Sequence, residues 1–194
     1  MPNSAATQNN VLEAFRECGA LLEGHFILRS GHHSGQFFQC ARVGEQPDRV
    51  SHLATLLLQK LGTVDCDTVV AIAMGGLVIG QEIARQARKR YVFLEKGEGG
   101  KLALRRHFTL TPGEKVLIVE DVITRGGRVK EAIDIITHRK GRPVGISVLV
   151  DRRETPGNFF GTPLCSLVRL HIPTYPPDDL PDTLKRLPAV KPGS

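Results

Sequence analysis

The stretch from Val116 to Ile136, VLIVEDVITRGGRVKEAIDII, constrains the fold more than any other part of the chain. Four apolar residues lead into two adjacent carboxylates, a loop with one threonine and two glycines follows, and apolar residues then recur at helical spacing. This order predicts a buried strand, an anion-holding loop and a helix. Because Glu120 and Asp121 repel each other, the strand end must be solvated or must offer them a partner that carries hydroxyls or cations.

Strand-like and helix-like segments alternate along most of the chain. Apolar runs typical of strands occur at residues 68–73, 91–95, 115–121, 143–151 and 163–172, with a further extended stretch at 102–110. Amphipathic patterns typical of helices occur at residues 8–22, 50–61, 76–89 and 128–140. This order is typical of βαβ units, so we predict an α/β fold with a mainly parallel twisted sheet flanked by helices. Ligands of such sheets bind beyond the carboxyl ends of the strands, where Glu120 and Asp121 fall.

The two ends of the chain have a different character. Residues 25–43 contain two short strand-like segments around a Gly-rich turn, which predicts a small hairpin ahead of the main sheet. Residues 176–194 are rich in proline and polar side chains, which predicts a loosely held tail.

The composition limits the classes of partner that the chain is expected to bind, but it does not identify one. A chain of 194 residues is long enough for one domain with a substantial core. The net charge of +6 favours anionic partners, either a nucleic acid or a small polyphosphate. The basic residues are dispersed and tryptophan is absent, which disfavours a surface for stacking bases. We therefore expect no nucleic-acid partner.

The apolar segments, cysteines and histidines indicate where the protein is located and whether it binds a metal. The opening residues lack an apolar segment, so we expect no signal peptide, and no stretch approaches the ~18 to 20 apolar residues of a membrane span. The four cysteines (Cys18, Cys40, Cys66 and Cys165) are scattered, which predicts reduced thiols in a cytoplasmic protein. Neither they nor the seven histidines show metal-ligand spacing, so we expect no metal site built by the protein.

The acidic pair and the loop after it suit a phosphorylated sugar. Each carboxylate can accept a hydrogen bond from one hydroxyl of a ribose cis-diol, and such charge-assisted bonds are the stronger kind. The backbone N–H groups of residues 124–128 can converge on a phosphate at a helix N-terminus, with Arg125 and Arg128 adding positive charge. Neither GxxxxGK[ST] nor GxGxxG occurs, which disfavours a P-loop ATPase and a dinucleotide-binding site.

The stretch VLIVEDVITRGG resembles the PRPP-binding signature of the type I phosphoribosyltransferases. Four further stretches are similar to the orotate phosphoribosyltransferases of that family: GALLEGHFILRSGHHSGQFF, AIAMGGLVIGQEIAR, LRRHF and VLVDRRE. The resemblance extends from about Val11 to Tyr175. It implies one phosphoribosyltransferase domain over residues 1–194, with a hood at about 22–45, a PRPP-binding core at about 46–172 and a tail at 173–194.

The resemblance also implies a role for each matching position. The PRPP-binding residues would be Glu120, Asp121, Val122, Ile123, Thr124, Arg125, Gly126, Gly127 and Arg128. The orotate-binding residues would be Thr124, Arg152, Arg29, Phe37 and Phe38. The pyrophosphate loop would be Ala73, Met74, Gly75 and Gly76. Lys96 would come from a mobile loop of the partner subunit, in a homodimer with shared active sites.

The implied activity is transfer of a 5-phosphoribosyl group from PRPP to orotate. Mg²⁺ would be the cofactor, carried by PRPP rather than by protein ligands. Two alternatives stay open: a phosphoribosyltransferase for another base, and a non-catalytic regulator that senses PRPP. Arg152 argues against an uncharged purine because its planar fork of donors suits a carboxylate. No helix-turn-helix precedes the core, which argues against a nucleic-acid-binding regulator.

Several positions depart from the pattern of many relatives. Arg125 and Arg128 stand where many relatives have Thr or Ser, Glu95 stands where some have a basic residue, and the loop after Lys96 is short. Two neighbouring arginines at positions 105 and 106 are further candidates for contact with pyrophosphate. The residues that assist departure of pyrophosphate are therefore left open.

Overall fold

The computed structural model describes residues 4–28, 30–63 and 65–192. The chain divides into two compact units, a larger one of residues 46–169 and a smaller one drawn from residues 1–45 and 170–194. The larger unit contains the predicted strand-loop-helix stretch.

The larger unit is built on one six-stranded sheet. Its strands are β3 (Thr68–Ile72), β4 (Arg90–Lys96), β5 (Leu102–Ala103), β6 (Lys115–Ile123), β7 (Arg142–Asp151) and β8 (Leu164–Arg169). They lie in the order β5-β4-β3-β6-β7-β8, and every neighbouring pair is parallel except β4 with β5. The predicted mainly parallel sheet is confirmed.

Helices cover both faces of this sheet. They are α2 (Pro47–Leu61), α3 (Gly76–Ala87) and α4 (Gly127–His138). Val70 and Ile72 of β3 belong to one buried cluster with Val129 and Ala132 of α4. Ala71 points the opposite way because side chains alternate along a strand, and it contacts α3. Burial on both faces explains the nearly continuous apolar runs of the central strands.

The smaller unit holds the predicted hairpin together with the last part of the chain. Its elements are α1 (Ser4–Glu17), β1 (Leu21–Ile27), β2 (His33–Phe38), the short helix α5 (Asp182–Lys185) and β9 (Ala189–Val190). β1 pairs with β2 in an antiparallel and with β9 in a parallel arrangement. The two predicted strands around a Gly-rich turn are thereby confirmed.

Three local predictions require correction. The first helix was expected to reach residue 22, but it ends at Glu17, and Gly19 turns the chain with φ +67° into β1. The stretch 102–110 was expected to be extended, yet its strand covers only Leu102–Ala103, and Arg106 and His107 adopt left-handed backbone angles.

The third correction concerns the C-terminal segment, which was expected to be loosely held. Ser34 Oγ donates a hydrogen bond to the carbonyl of Pro173, and the backbones of Tyr175 and His33 bond to each other in both directions. Leu184 is buried, and β9 extends the small sheet. Composition did not reveal these contacts because they depend on pairing with residues about 150 positions earlier.

Among the residues that the structure describes, no helix has the length and apolar character needed to cross a membrane.

Gly80 marks the closest approach of α3 to the sheet. A Cβ at this position would lie 2.7 Å from the Cβ of Ala71, so a larger residue must push the helix away from the strand. We expect Gly80→Val to lower the free energy of unfolding by about 1–3 kcal/mol through overpacking. Gln81→Val adds the same side chain at the next, exposed position and should cost about 0.5 kcal/mol through helix propensity. Urea unfolding of both variants measures the difference, and equal losses would contradict the packing explanation.

Candidate active site

The site is built around the acidic pair at the end of β6. Glu120 is 8% exposed, and Asp121 is half-buried. The Asp121 N–H donates to Glu120 Oε1 at 3.0 Å, and the Val122 N–H donates to Asp121 Oδ1 at 2.7 Å. Each carboxylate is therefore oriented by the backbone of the residue that follows it.

The loop between β3 and α3 lies directly against these carboxylates. A Cβ on Gly75 would be 2.2 Å from Asp121 Oδ2, and a Cβ on Gly76 would be 2.7 Å from the carbonyl oxygen of Val119. Position 76 therefore requires glycine, because a side chain there would clash with the backbone of β6, whereas a side chain at position 75 would have to displace the Asp121 carboxylate. The Ala73–Met74 peptide bond is cis, and the Met74 side chain is 82% exposed. The resemblance implies that this loop contacts diphosphate, which stays a prediction; the structure shows that its two glycines make room for the acidic pair.

Burial has an electrostatic consequence for Glu120. Loss of solvent raises the pKa of its carboxyl well above the usual range, and the adjacent Asp121 raises that pKa further. The ionised form of the Glu120 carboxyl is therefore disfavoured unless a hydroxyl donor or a cation lies close to it. The site is thus electrostatically suited to such a ligand.

The loop after β6 forms the second part of the site. Thr124 is exposed, Gly126 adopts φ +79°, and α4 starts at Gly127. The first N–H groups of a helix have no partner within the helix, and the positive end of its dipole adds to them, so an anion is favoured here.

This loop and the acidic pair line one cavity of about 510 Å³. The lining residues are Glu120, Asp121, Val122, Ile123, Thr124, Gly126, Gly127, Arg128, Val129 and Glu131. Eight of the nine predicted PRPP-binding residues are therefore brought together; Arg125 is exposed and is not part of the lining. Arg128 lines the cavity but also donates from Nη1 to the carbonyl of Gly100 at 2.9 Å and to Glu131 Oε2 at 3.0 Å.

Two adjacent arginines follow β7 and differ in their partners. Arg153 forms two bonds of 2.9 Å with the carboxylate of Asp151 and is nearly buried. The backbone of Arg152 lies beside the end of β6, because the Arg152 backbone N–H donates a hydrogen bond to the carbonyl of Ile123 at 2.8 Å. Its Nε is buried without a hydrogen-bond partner, and burial lowers the pKa of its guanidinium. Of the two guanidinium groups, only that of Arg152 has a buried N–H group without a hydrogen-bond partner among the described residues.

The remaining predicted residues belong to other elements of the chain. Lys96 is exposed at the end of β4. Phe37 and Phe38 belong to the smaller unit, where Phe38 packs edge-on against Phe15 with ring centroids 4.9 Å apart. Their contact with orotate stays a prediction. Arg29 lies outside the described residues.

The arginines at positions 105 and 106 were further candidates for contact with pyrophosphate. Both are exposed, and Arg106 bonds to Glu95 through Nε and Nη2, each at 3.1 Å. This pairing lowers the pKa of the Glu95 carboxyl.

Sequence reasoning missed two residues of the site. Glu131 lines the cavity one helical turn after Gly127. Its position could have been predicted, because residues four apart lie on the same face of a helix. Phe159 packs against the loop so closely that a Cβ on Gly126 would lie 2.2 Å from its ring. No local pattern could have found this contact, because it joins residues 33 positions apart.

The comparison with known sequences identifies the class. The phosphoribosyl transferase domain family matches residues 40–158, a range that includes the glycine loop, the acidic pair and Arg152. The chain therefore belongs to the phosphoribosyltransferase family.

Individual relatives show which members of the family this chain resembles. The chain is 46% identical over 191 residues to the orotate phosphoribosyltransferase of Erythrobacter litoralis, covering 97% of this chain and 98% of that protein. It is 43% identical over 187 residues to the orotate phosphoribosyltransferase of Desulforamulus reducens, covering 96% and 97%. The crystal structure of orotate phosphoribosyltransferase from Aeropyrum pernix is similar with a TM-score of 0.72 and 26% identity, covering 82% of this chain and 93% of that one. Within the family, this chain is an orotate phosphoribosyltransferase homologue.

The raised pKa of Glu120 predicts a pH-dependent stability of the ligand-free protein. The folded state keeps a proton that the unfolded chain releases in the ordinary carboxyl range, so stability is greatest at low pH and falls as pH rises toward the raised pKa. The slope should not exceed about 1.4 kcal/mol per pH unit. Glu120→Gln should flatten this dependence in urea unfolding from pH 5 to 9. The exposed control Glu154→Gln should keep the wild-type slope, and a wild-type slope in Glu120→Gln would contradict the assignment.

Proposed function

We propose that this chain transfers the 5-phosphoribosyl group of PRPP to N1 of orotate, giving orotidine 5′-monophosphate and pyrophosphate, a step of pyrimidine biosynthesis. The observation that carries the proposal is the cavity at the end of β6, which combines two carboxylates and a helix N-terminus within about 510 Å³. The relatives that align along nearly the whole chain are named for this activity.

The cavity offers separate partners for the parts of a phosphorylated ribose. Glu120 and Asp121 can accept hydrogen bonds from the two ribose hydroxyls. These bonds would offset the free-energy cost of burial and of the mutual repulsion between the two side chains. The N–H groups at the start of α4 can bind the 5-phosphate, and Arg128 adds charge at the same wall. The loop 73–76 is the proposed contact for the diphosphate.

Orotate is distinguished from other bases by its carboxylate. Arg152 supports this choice because its Nε is buried and unpartnered beside the end of β6. A bidentate pair with a carboxylate would satisfy this donor and offset its burial. A purine base would leave Arg152 unsatisfied, at a cost of about 1–3 kcal/mol.

The reaction breaks the bond from C1′ to the pyrophosphate oxygen and forms a bond from C1′ to N1 of orotate. The bonding electrons leave with pyrophosphate, and the sugar carbon gains positive charge in the transition state. We propose that the carboxyl groups of Glu120 and Asp121 stabilise that charge while they bind the ribose hydroxyls, and that holding both substrates in one cavity supplies the positioning. Orotate N1 is acidic enough to release its proton to solvent and react as the anion, so we assign no general base.

Mg²⁺ is the expected cofactor. The carboxylate oxygens of Glu120 and Asp121 are the hard ligands that this cation prefers. No three His, Cys, Asp or Glu side chains converge on one point within the described parts of the chain. We therefore propose that the cation is held chiefly by PRPP oxygens, and when bound it offsets the negative charge of the departing pyrophosphate.

We further propose a cytoplasmic homodimer with shared active sites. All four cysteines are free thiols, with Cys18 and Cys66 buried, which suits a reducing compartment. Lys96 is exposed on the short hairpin between β4 and β5, where it can reach beyond its own subunit.

A base-specificity assay tests the function. Purified protein with Mg²⁺ and PRPP should consume orotate, measured by its fall in absorbance, and should leave adenine, hypoxanthine and uracil unchanged. Turnover of another base in place of orotate would support the first alternative. PRPP binding without turnover of any base would support the regulator.

Arg152 and Arg153 should respond differently to truncation. Arg152→Ala should raise the orotate KM by about 10- to 150-fold through loss of a charged hydrogen-bonded pair, with the PRPP KM nearly unchanged. Arg152→Lys should recover little, because an ammonium cannot reproduce the planar fork. Arg153→Ala should instead lower the Tm, since it leaves buried Asp151 without this partner. An equal loss of both affinities in Arg152→Ala would indicate a folding role for Arg152.

The shared-site proposal predicts complementation between two inactive variants. Lys96→Ala and Arg152→Ala homodimers should each be weak. Heterodimers would place both lesions in one site and leave the other intact, so mixing under subunit exchange should restore part of the activity. If exchange is verified by mass-tagged subunits and no activity returns, Lys96 acts in its own subunit or not at all.

A further inference from the structure

The hairpin that carries Lys96 is closed by its own backbone. Lys96 pairs with Leu102 across β4 and β5, and the Gly97 N–H donates to the carbonyl of Lys101 at 2.7 Å. Gly99 and Gly100 both adopt positive φ and have open space around them. These bonds shape the turn, but they do not fix the hairpin to the rest of the larger unit.

Two side chains at the start of α4 provide that attachment. Glu131 Oε1 accepts the N–H of Leu102 at 2.6 Å, while Glu131 Oε2 accepts from Arg128 Nη1 at 3.0 Å. The same Nη1 donates to the carbonyl of Gly100 at 2.9 Å. Two polar contacts, one through a donor and one through an acceptor, therefore hold residues 100–102 of the hairpin to α4, in addition to the burial of the Leu102 side chain in the core cluster.

The two residues that attach the hairpin belong to the candidate active site. Arg128 and Glu131 both line the cavity, and Arg128 follows directly on the loop proposed to bind the 5-phosphate. Both observed bonds of Arg128 use Nη1, so Nη2 can donate to a phosphate oxygen while they persist. An anion in the cavity would then immobilise Arg128 and, through it, the hairpin.

We propose that Glu131 is a positioning residue that couples occupation of the phosphate loop to the placement of the Lys96 hairpin. Glu131 touches neither substrate in this role; it acts through the Leu102 N–H and through Arg128. The substrate side of the proposal rests on the function proposed above, whereas the attachment itself is a property of the ligand-free protein.

The structure offers a matched control on the same helix. Asp134 also accepts a hydrogen bond from a basic side chain of α4, Lys130, at 2.6 Å, but this pair is largely exposed. Asp134→Ala therefore removes a carboxylate and an ion pair from α4 without affecting the hairpin contacts. Glu131→Gln serves as the conservative variant, because its amide oxygen can still accept the Leu102 N–H.

Hydrogen exchange of the whole protein tests the attachment, with and without PRPP and Mg²⁺. In the ligand-free protein, Glu131→Ala should speed exchange of the Leu102 amide by about tenfold or more, Glu131→Gln should speed it less, and Asp134→Ala should leave it unchanged. PRPP should slow exchange over residues 97–102 in the wild type and in Asp134→Ala, but not in Glu131→Ala.

Kinetics supply the second measurement. Glu131→Ala should lower kcat by about tenfold with the orotate KM unchanged, and Glu131→Gln should recover part of kcat. Unchanged exchange and kcat in Glu131→Ala, or equal effects in Asp134→Ala, would overturn the proposal. If Glu131→Ala does not fold, the smaller effects of Glu131→Gln decide. If the wild type binds PRPP but does not use orotate, the proposed function fails, and the exchange experiments still test the attachment.

Discussion

The burial of two adjacent carboxylates beneath a glycine loop is the constraint on which the larger unit depends. Glu120 and Asp121 are placed by β6, and the loop before α3 lies so close to them that residue 76 must be glycine and a side chain at residue 75 would displace the Asp121 carboxylate. The parallel sheet makes this contact possible, because it brings the ends of β3 and β6 to the same edge. The loop, the acidic pair and the start of α4 are consequently parts of one arrangement.

This arrangement has an electrostatic cost. Burial raises the pKa of Glu120, and the buried Nε of Arg152 has no partner, so both groups gain more from a ligand than exposed groups would. The proposed ligands, a ribose diol and a carboxylate-bearing base, would offset these two costs. The apolar sheet stabilises the fold strongly enough to hold them in place.

The sequence determined most of the larger unit because local patterns and burial agree there. Continuous apolar runs predicted the central strands, and spacing of about 3.6 residues predicted α2, α3 and α4. The pattern failed where strand pairing outweighed it. Leu22 fits the helical face of residues 8–22 but belongs to β1, and the Pro-rich end is fixed by Leu184 and by β9. Those contacts are long-range, so no local window contains them.

The same division holds for the site. The sequence by itself determined the acidic pair, the anion loop and the glycines at 75 and 76, since these are contiguous motifs at the ends of strands. Only the tertiary structure decided which of two adjacent arginines is free, because Asp151 engages Arg153 and leaves Arg152 unpaired. It also brought Glu131 to Leu102 and Phe159 to Gly126. Such pairings depend on side-chain direction and on the separation of packed elements, which the order of residues does not specify.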